Sequence, residues 1–264
     1  MRKTAILASL AGLAIASLPL GLSAQEEGDA PPPLSDVWVM VVKSGMNDEF
    51  AAAMAAHMQF RKDAGESRDW NAYRVAAGHN MKPVVFRSCC FDWADFDAHE
   101  AETDELGLVA HFNENVGQFV DHFHHHFERS DWENSHWPDE GTSGPYFGVT
   151  RWIIKEGAGP AADDAKETMS QLALNEGWAN DDNNWLWFSR ETGDAEIALV
   201  SSYANYEEME PPEQSFFEFA VEQLGEEEAA EMFATFNAGF SDSDYTIWQL
   251  DESLSTPSDD DEDD

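Results

Sequence analysis

The stretch VAHFNENVGQFVDHFHHHFER, from Val109 to Arg129, holds five of the nine histidines and is the segment around which the rest of the chain is organised. At about 100° per residue its apolar side chains fall on one arc, as in a helix that packs one face on a sheet. These side chains are Val109, Phe112, Val116, Phe119, Val120, Phe123 and Phe127. The pattern predicts one amphipathic helix over residues 109–129, with His122 and His126 one turn apart on one side.

The N-terminus has the composition of an export signal. Arg2 and Lys3 precede an apolar run that ends at Ala24, and Gln25 opens a polar stretch. A basic start, a short apolar core and a small-residue exit are typical of a secretory signal peptide, whereas a membrane anchor requires a longer apolar run. We therefore expect a signal peptide over residues 1–24, cleaved near Ala24, and a soluble periplasmic or secreted protein without stable membrane insertion.

The charge balance and the cysteines exclude several classes of protein. Against 53 aspartates and glutamates there are 14 lysines and arginines, for a formal net charge of −39. Such a surface repels the phosphates of nucleic acid, which excludes nucleic acid as a partner. Cys89 and Cys90 are the only cysteines. Because neighbouring side chains on a strand point to opposite faces, we expect no disulfide between them, which leaves two buried thiols or, as a rare alternative, a bridge to another molecule.

The two halves of the chain share one predicted order of elements, β-α-β-β-α-β. Strands are predicted over 37–42, 70–77, 83–91, 132–137, 146–155, 185–190, 196–203 and 245–250, and the other helices over 47–66, 161–176 and 212–240. Lys43 and Gly45 recur 112 residues later as Lys155 and Gly157, and the segment that starts at Arg87 aligns with Leu199 at the same spacing. Trp70 recurs as Trp185, and Trp137 as Trp248. These spacings indicate a tandem duplication.

The predicted fold class is α+β, with two tandem ferredoxin-like repeats whose antiparallel sheets pack against each other. The repeats span residues 37–138 and 145–251. A linker over 25–36 precedes them, and a disordered acidic tail over 252–264 follows.

This organisation resembles the dimeric α+β barrel superfamily, which includes antibiotic-biosynthesis-type monooxygenases, haem-degrading monooxygenases and stress-responsive barrel proteins. The resemblance covers about residues 37–250 and lies in element order and repeat spacing, with no catalytic motif matched residue by residue. It implies a barrel of two sheets, which similar proteins build by dimerisation and this chain builds internally, so that no oligomer is required. It also implies a cleft between the helices and the sheet of each repeat, where small aromatic molecules or haem can bind.

The histidines point to one working cleft, because all nine lie between His57 and His136, in the first repeat. We expect a small, mostly apolar ligand there and, from similar proteins, monooxygenase-like or isomerase-like activity. The candidate ligand-binding residues are Arg87, His57, Trp70, Phe119, His122 and His126. Arg87 lies mid-strand, where a half-buried guanidinium requires an anionic partner. That partner is either a nearby Asp or Glu, or a carboxylate or enolate on a ligand.

Two alternative functions follow from the same sequence. An i, i+4 pair of imidazoles on a helix can hold a transition metal, so His122 and His126, joined by His57, are a candidate metal or haem site. The same cluster can also be polar filling at an exposed helix end. The second alternative is a non-catalytic cell-envelope interaction protein with both clefts packed shut. No GxGxxG, phosphate loop, HExxH or Ser-His-Asp order is present, which argues against the common nucleotide enzymes, zinc proteases and hydrolases.

Overall fold

Two β-α-β-β-α-β units follow one another in the chain, as seen in a computed structural model that describes residues 30–138, 144–180 and 182–258. The strands are β1 (Leu34–Val42), β2 (Asn71–Ala77), β3 (Pro83–Phe91), β4 (Val120–His136), β5 (Tyr146–Ile154), β6 (Trp185–Arg190), β7 (Glu196–Tyr203) and β8 (Phe240–Leu250). The helices are α1 (Asn47–Ala64), α2 (Trp93–Glu105), α3 (Leu108–Asn115), α4 (Gly159–Asn175), α5 (Phe216–Leu224) and α6 (Glu226–Ala238). The predicted signal peptide lies outside the described residues.

The eight strands form one closed antiparallel barrel in the order β1-β3-β2-β8-β5-β7-β6-β4. Strands β4, β1, β3 and β2 are the sheet of the first repeat, and β8, β5, β7 and β6 are the sheet of the second. The pairs β2–β8 and β4–β6 join the two sheets, which leaves no open sheet edge. The prediction of two ferredoxin-like repeats fused into one α+β barrel is confirmed. Each strand therefore has one face toward the barrel interior and one toward the helices.

The histidine-rich stretch is not one helix, and the prediction for residues 109–129 is wrong. Helix α3 ends at Asn115, a short 3-10 turn covers Gly117–Phe119, and β4 begins at Val120. The apolar residues Phe119, Phe123 and Phe127 are four apart, so their spacing fits a helix and a strand equally well. Pairing of β4 with both β1 and β6 decides the outcome, because long-range contacts override local helical periodicity.

The strand pairing also tests the predicted match between the repeats. Lys43 and Lys155 do correspond, since their Nζ atoms donate to the carbonyls of Gln118 and Ala238 at 2.7 and 2.8 Å. The match of Arg87 with Leu199 is wrong by one residue. The match of Trp137 with Trp248 is wrong as well, because Trp248 pairs with Phe147 as Glu128 pairs with Ser35, so Trp248 corresponds to Glu128.

The correct match for Arg87 follows from the register. Phe86 pairs with Trp38, whereas Leu199 pairs with Thr150, which makes the spacing on this strand 113 residues. A shift of one residue exchanges the two faces of a strand. The counterpart of Arg87 is therefore Val200, an interior residue.

The adjacent cysteines are joined by a disulfide, so the expectation of two thiols is wrong. The peptide bond between Cys89 and Cys90 is cis. The expectation assumed an extended trans peptide, in which the two side chains point to opposite faces. Both residues line the barrel interior.

The segments before and after the barrel also differ from the prediction. Leu34 begins β1 and is buried, so the linker ends before it. Leu254 is 1% exposed and packs in the core of the first repeat, where a disordered tail was predicted. The Thr256 amide donates to the Trp70 carbonyl at 2.8 Å, which ties this segment to the start of β2. Residues 259–264 lie outside the described part of the chain.

Every helix within residues 30–138, 144–180 and 182–258 is too short or too polar to span a lipid bilayer.

Candidate functional site

A cleft of about 460 Å³ lies between helices α1, α2 and α3 and the helix-facing side of β1, β3 and β4. Its wall is largely apolar and aromatic. The apolar residues that line it include Trp38, Met40, Met54, Phe86, Phe112 and Phe123. Strand alternation explains the set, since every second residue of β1 and β4 points this way. A pocket of this size and composition suits a small organic molecule.

The second repeat fills the corresponding space with aromatic rings. Its buried cluster contains Trp152, Trp187, Phe236 and Phe240. By strand register and backbone hydrogen bonds these correspond to Met40, Ala72, Val116 and Val120 in the first repeat. The Trp152 ring centroid lies 5.6 Å from that of Trp187 and 5.4 Å from that of Phe236. The second repeat therefore carries larger side chains at four positions that correspond to smaller ones at or beside the cleft of the first repeat.

A chain of hydrogen bonds orders the imidazole of His57, which is 1% exposed at the base of the cleft. Arg61 Nη1 lies 3.4 Å from His57 Nε2, and His57 Nδ1 lies 2.9 Å from His111 Nδ1. Because a guanidinium can only donate, Nε2 of His57 accepts, and its Nδ1 carries the proton shared with His111. Burial, followed by the charge of Arg61 and the nearby His111, lowers the pKa of His57 to about 3. His57 is therefore neutral in this cleft.

A buried carboxylate orients a second imidazole on the opposite wall. Asp36 is 5% exposed, and its Oδ1 lies 2.8 Å from Nε2 of His125. Its Oδ2 accepts a hydrogen bond from Arg68 Nη1 at 3.1 Å. The His125 ring stacks on Trp38 with a centroid distance of 4.2 Å. Since an ionised carboxylate only accepts, Nε2 of His125 carries a proton and Nδ1 remains a hydrogen-bond acceptor.

The partners of Glu66, namely Arg61, Trp70 and His99, line the same cleft. Glu66 forms an ion pair with Arg61 and accepts a hydrogen bond from Trp70 Nε1 at 3.2 Å. His99 lies 3.7 Å from Glu66 and 3.3 Å from Glu102. Burial, with a smaller contribution from the charge of Arg68, lowers the pKa of His99. These pairs hold the charges of Arg61 and Glu66 within the protein.

The structure distributes the predicted ligand-binding residues over three surfaces. His57 and Trp70 line the cleft, and Phe119 packs against the core beside it. Arg87 and His126 line the barrel interior instead. His122 is half exposed and pairs with Asp121 at 2.8 Å. Sequence reasoning missed Asp36, His99, His111 and His125, although alternation of Phe123, His125 and Phe127 along a strand would have placed His125 on the cleft face.

The predicted metal site of His122, His126 and His57 does not assemble. These residues lie at the surface, in the barrel interior and in the cleft, respectively, because a strand replaces the expected helix. In the described ranges, no group of three or more His, Cys, Asp or Glu side chains could hold a metal ion. His57 and His99 do not fit haem ligation either, since each uses both ring nitrogens in hydrogen bonds within the protein.

A second cavity, of about 540 Å³, occupies the barrel interior. Its apolar wall includes Val37, Val85, Phe147, Val149, Leu186 and Phe188. Arg87, Arg151 and Arg190 also line it, together with Glu128 and His126. Burial acts to raise the pKa of Glu128, but the hydrogen bond and charge of His126, with Arg87 and Arg151, outweigh it and lower that pKa. Ionised groups therefore persist inside the barrel.

Solved structures share this architecture. A candidate monooxygenase from Fusobacterium nucleatum superposes with a TM-score of 0.51 at 10% identity, over 83% of this chain and 93% of that one. A mutant chlorite dismutase from Candidatus Nitrospira defluvii gives a TM-score of 0.50 at 9% identity, over 84% and 93%. The chain has the dimeric α+β barrel fold. No protein-family model and no curated protein matches the sequence, and at these identities the likeness shows the fold alone.

Proposed function

We propose that the first-repeat cleft binds a small, flat, mostly apolar molecule that carries a phenolic or enolic hydroxyl, and that His125 accepts the hydroxyl proton. The observation that carries this proposal is the buried Asp36, which holds the His125 imidazole at the cleft wall through a bond of 2.8 Å. A carboxylate behind an imidazole fixes its tautomer and stabilises its protonated form. Arg68 keeps that carboxylate in place from the other side.

The cleft can bind both the flat apolar body of the proposed ligand and its hydroxyl group. Aromatic walls favour a planar apolar body, and Trp38 and Phe123 stand next to His125, with Trp38 in contact with both rings. A proton that leaves the ligand hydroxyl moves to Nδ1 of His125, and the ligand becomes an electron-rich phenolate or enolate. Such an anion either reacts with molecular oxygen, as in a monooxygenase, or is reprotonated at carbon, as in an isomerase. The monooxygenase description of the Fusobacterium nucleatum structure supports the first outcome.

The site of action we propose is outside the cytoplasm. The basic start, apolar run and Ala24 exit at the N-terminus support export. The high negative charge supports a freely dissolved protein, because a net charge far from zero keeps molecules apart.

The test uses 4-nitrophenol, whose phenolate absorbs at longer wavelength than its phenol. Wild-type protein should bind it with a shift toward the phenolate spectrum at a pH where the free probe is mostly phenol. His125→Phe keeps the stacking on Trp38 but deletes the proton acceptor, so binding should persist without the shift. His124→Phe is the matched control, because His124 is the exposed neighbour on the other face of β4. Oxygen uptake with polycyclic phenols then separates oxygenation from isomerisation.

The proposal fails if His125→Phe retains the full phenolate shift, or if neither 4-nitrophenol nor any member of a panel of aromatic hydroxyl compounds binds the wild-type protein.

A further inference from the structure

We infer that the barrel interior is a second binding site, separate from the cleft, and that it takes a small organic carboxylate with an apolar body. Four N–H groups of its lining residues are buried and have no acceptor within the described protein. They are Arg87 Nε, Arg190 Nε, Trp132 Nε1 and Trp248 Nε1. Trp248 is 8% exposed, which places its indole N–H well inside the barrel. All four are donors, so the missing partner is an acceptor.

Arg87 shows most directly what kind of acceptor is required. Its Nη2 donates to Ser35 Oγ at 2.6 Å, and its guanidinium lies 5.0 Å from the Phe188 ring centroid. Among the described residues it forms no ion pair with an Asp or Glu within 4.0 Å, unlike Arg151 and Arg190, which both contact Glu196. The guanidinium is half-buried and its Nε has no acceptor among the described residues, so an anion that reaches it gains a charge-assisted hydrogen bond. Of the two partners expected for Arg87, the ligand carboxylate is therefore favoured.

The described carboxylates in the barrel interior do not accept hydrogen bonds from these unpaired N–H groups. Glu128 accepts from His126 Nε2 at 3.1 Å, and Asp244 accepts from Thr246 Oγ1 at 3.1 Å. Neither carboxylate is within hydrogen-bond distance of Arg87 or of the two indole N–H groups. A carboxylate has two oxygens with about four lone-pair directions, which match several donors at once. Arg151 and Arg190 both contact Glu196, so Arg87 is the guanidinium of this cavity that we assign to an anion.

The composition and volume of the rest of the cavity indicate what the non-carboxylate part of the ligand is. Apolar and aromatic side chains make up most of the wall, so an apolar or aromatic skeleton is favoured over a sugar or phosphate. The volume of about 540 Å³ accommodates a molecule the size of a substituted benzoate or a medium-chain fatty acid. The exposed loop residues His79 and Asn80 border the cavity and mark its access to solvent.

The interior site is independent of the cleft because the two lie on opposite faces of the same sheet. His125 lines the cleft and His126 the interior, and Phe86 and Arg87 divide in the same way. Loss of one site therefore leaves the other measurable.

The experiment is a calorimetric titration of the full-length protein with benzoate, hexanoate and the neutral analogue benzamide, followed in parallel by tryptophan fluorescence. We expect saturable, one-to-one binding of at least one carboxylate, with benzamide bound at least tenfold more weakly than benzoate. Arg87→Met should weaken carboxylate binding at least tenfold, because it keeps the length and removes the donors. Arg87→Lys, which keeps the charge without the Nε donor, should give an intermediate affinity.

Two controls separate this site from surface charge and from the cleft. Arg129→Met removes a surface arginine that pairs with Glu191, and it should leave carboxylate affinity unchanged. His125→Phe should do the same. The inference is overturned if neither benzoate nor hexanoate binds, if benzamide binds as tightly as benzoate, or if both Arg87 variants bind like the wild type. If Arg87→Met fails to fold, Arg87→Lys and the benzamide comparison decide.

Discussion

Acid should destabilise this protein through one buried imidazole, that of His57. Burial, then the charge of Arg61 and the nearby His111, lowers its pKa from 6.5 to about 3 in the folded state. The unfolded chain therefore binds this proton more tightly than the folded chain, and protonation favours unfolding. The stabilising contribution of the neutral ring is fully present above pH 6.5 and is lost as the pH falls toward 3.

The size of the effect follows from the two pKa values. Between pH 7 and pH 5 the unfolded-state histidine gains most of a proton and the folded-state His57 gains almost none, which corresponds to a loss of about 2 kcal/mol in the free energy of unfolding. Stopping at pH 5 keeps the solution away from the isoelectric point of about 4.2. Carboxylates titrate in the same range, so the absolute pH dependence does not isolate this residue.

A comparison of variants isolates it. His57→Gln replaces the imidazole by a neutral amide, and urea unfolding followed by tryptophan fluorescence gives the free energy of unfolding at both pH values. The wild type should lose about 2 kcal/mol more than His57→Gln between pH 7 and pH 5. His124→Gln, at an exposed position, should behave like the wild type. Equal pH dependence in wild type and His57→Gln would refute the reasoning.

Three further substitutions test the repeats and the cleft. Met40→Trp copies Trp152 of the second repeat, so it should abolish 4-nitrophenol binding while leaving the melting temperature at or above that of the wild type, as calorimetry can measure. Arg68→Met leaves Asp36 buried without its guanidinium partner and should cost about 3 to 5 kcal/mol in urea unfolding. Phe236→Val should cost about 2 to 4 kcal/mol and open a space in the second repeat that hydrophobic dyes or xenon can detect; an unchanged stability would contradict its place in the core.

The sequence allowed the fold to be predicted because repetition supplied long-range information. Two copies of one element order, with Lys43 and Gly45 recurring as Lys155 and Gly157, indicated a duplicated unit before any contact was known. Strand β3 and strands β6 and β7 lie where the patterns placed them. What repetition could not supply was register, and a one-residue error sufficed to match Arg87 with the wrong partner.

The candidate site was predicted only in part, because the spacing of the phenylalanines in residues 119–127 fits both a helix and a strand. Phenylalanines four apart are on one face in both a helix and a strand, and only the strand puts His125 and His126 on opposite faces. The sequence thus pointed to the repeat in which a cleft is present, and His57 and Trp70 line that cleft. It could not find the pairing of His125 with Asp36, since these residues are 89 positions apart and meet only through the β1–β4 pairing.

Strand β4 is the wall that the two proposed sites share, and its register determines both. It pairs with β1 on one side and with β6 on the other, so a slip would break two ladders at once. In the observed register His125 contacts Asp36 in the cleft, and His126 contacts Glu128 in the barrel. The second repeat has Tyr245 and Thr246 at the equivalent positions. The second repeat thus packs aromatic rings on the helix-facing side of its sheet, whereas the first repeat places His125 at an open cleft there and His126 in the barrel interior.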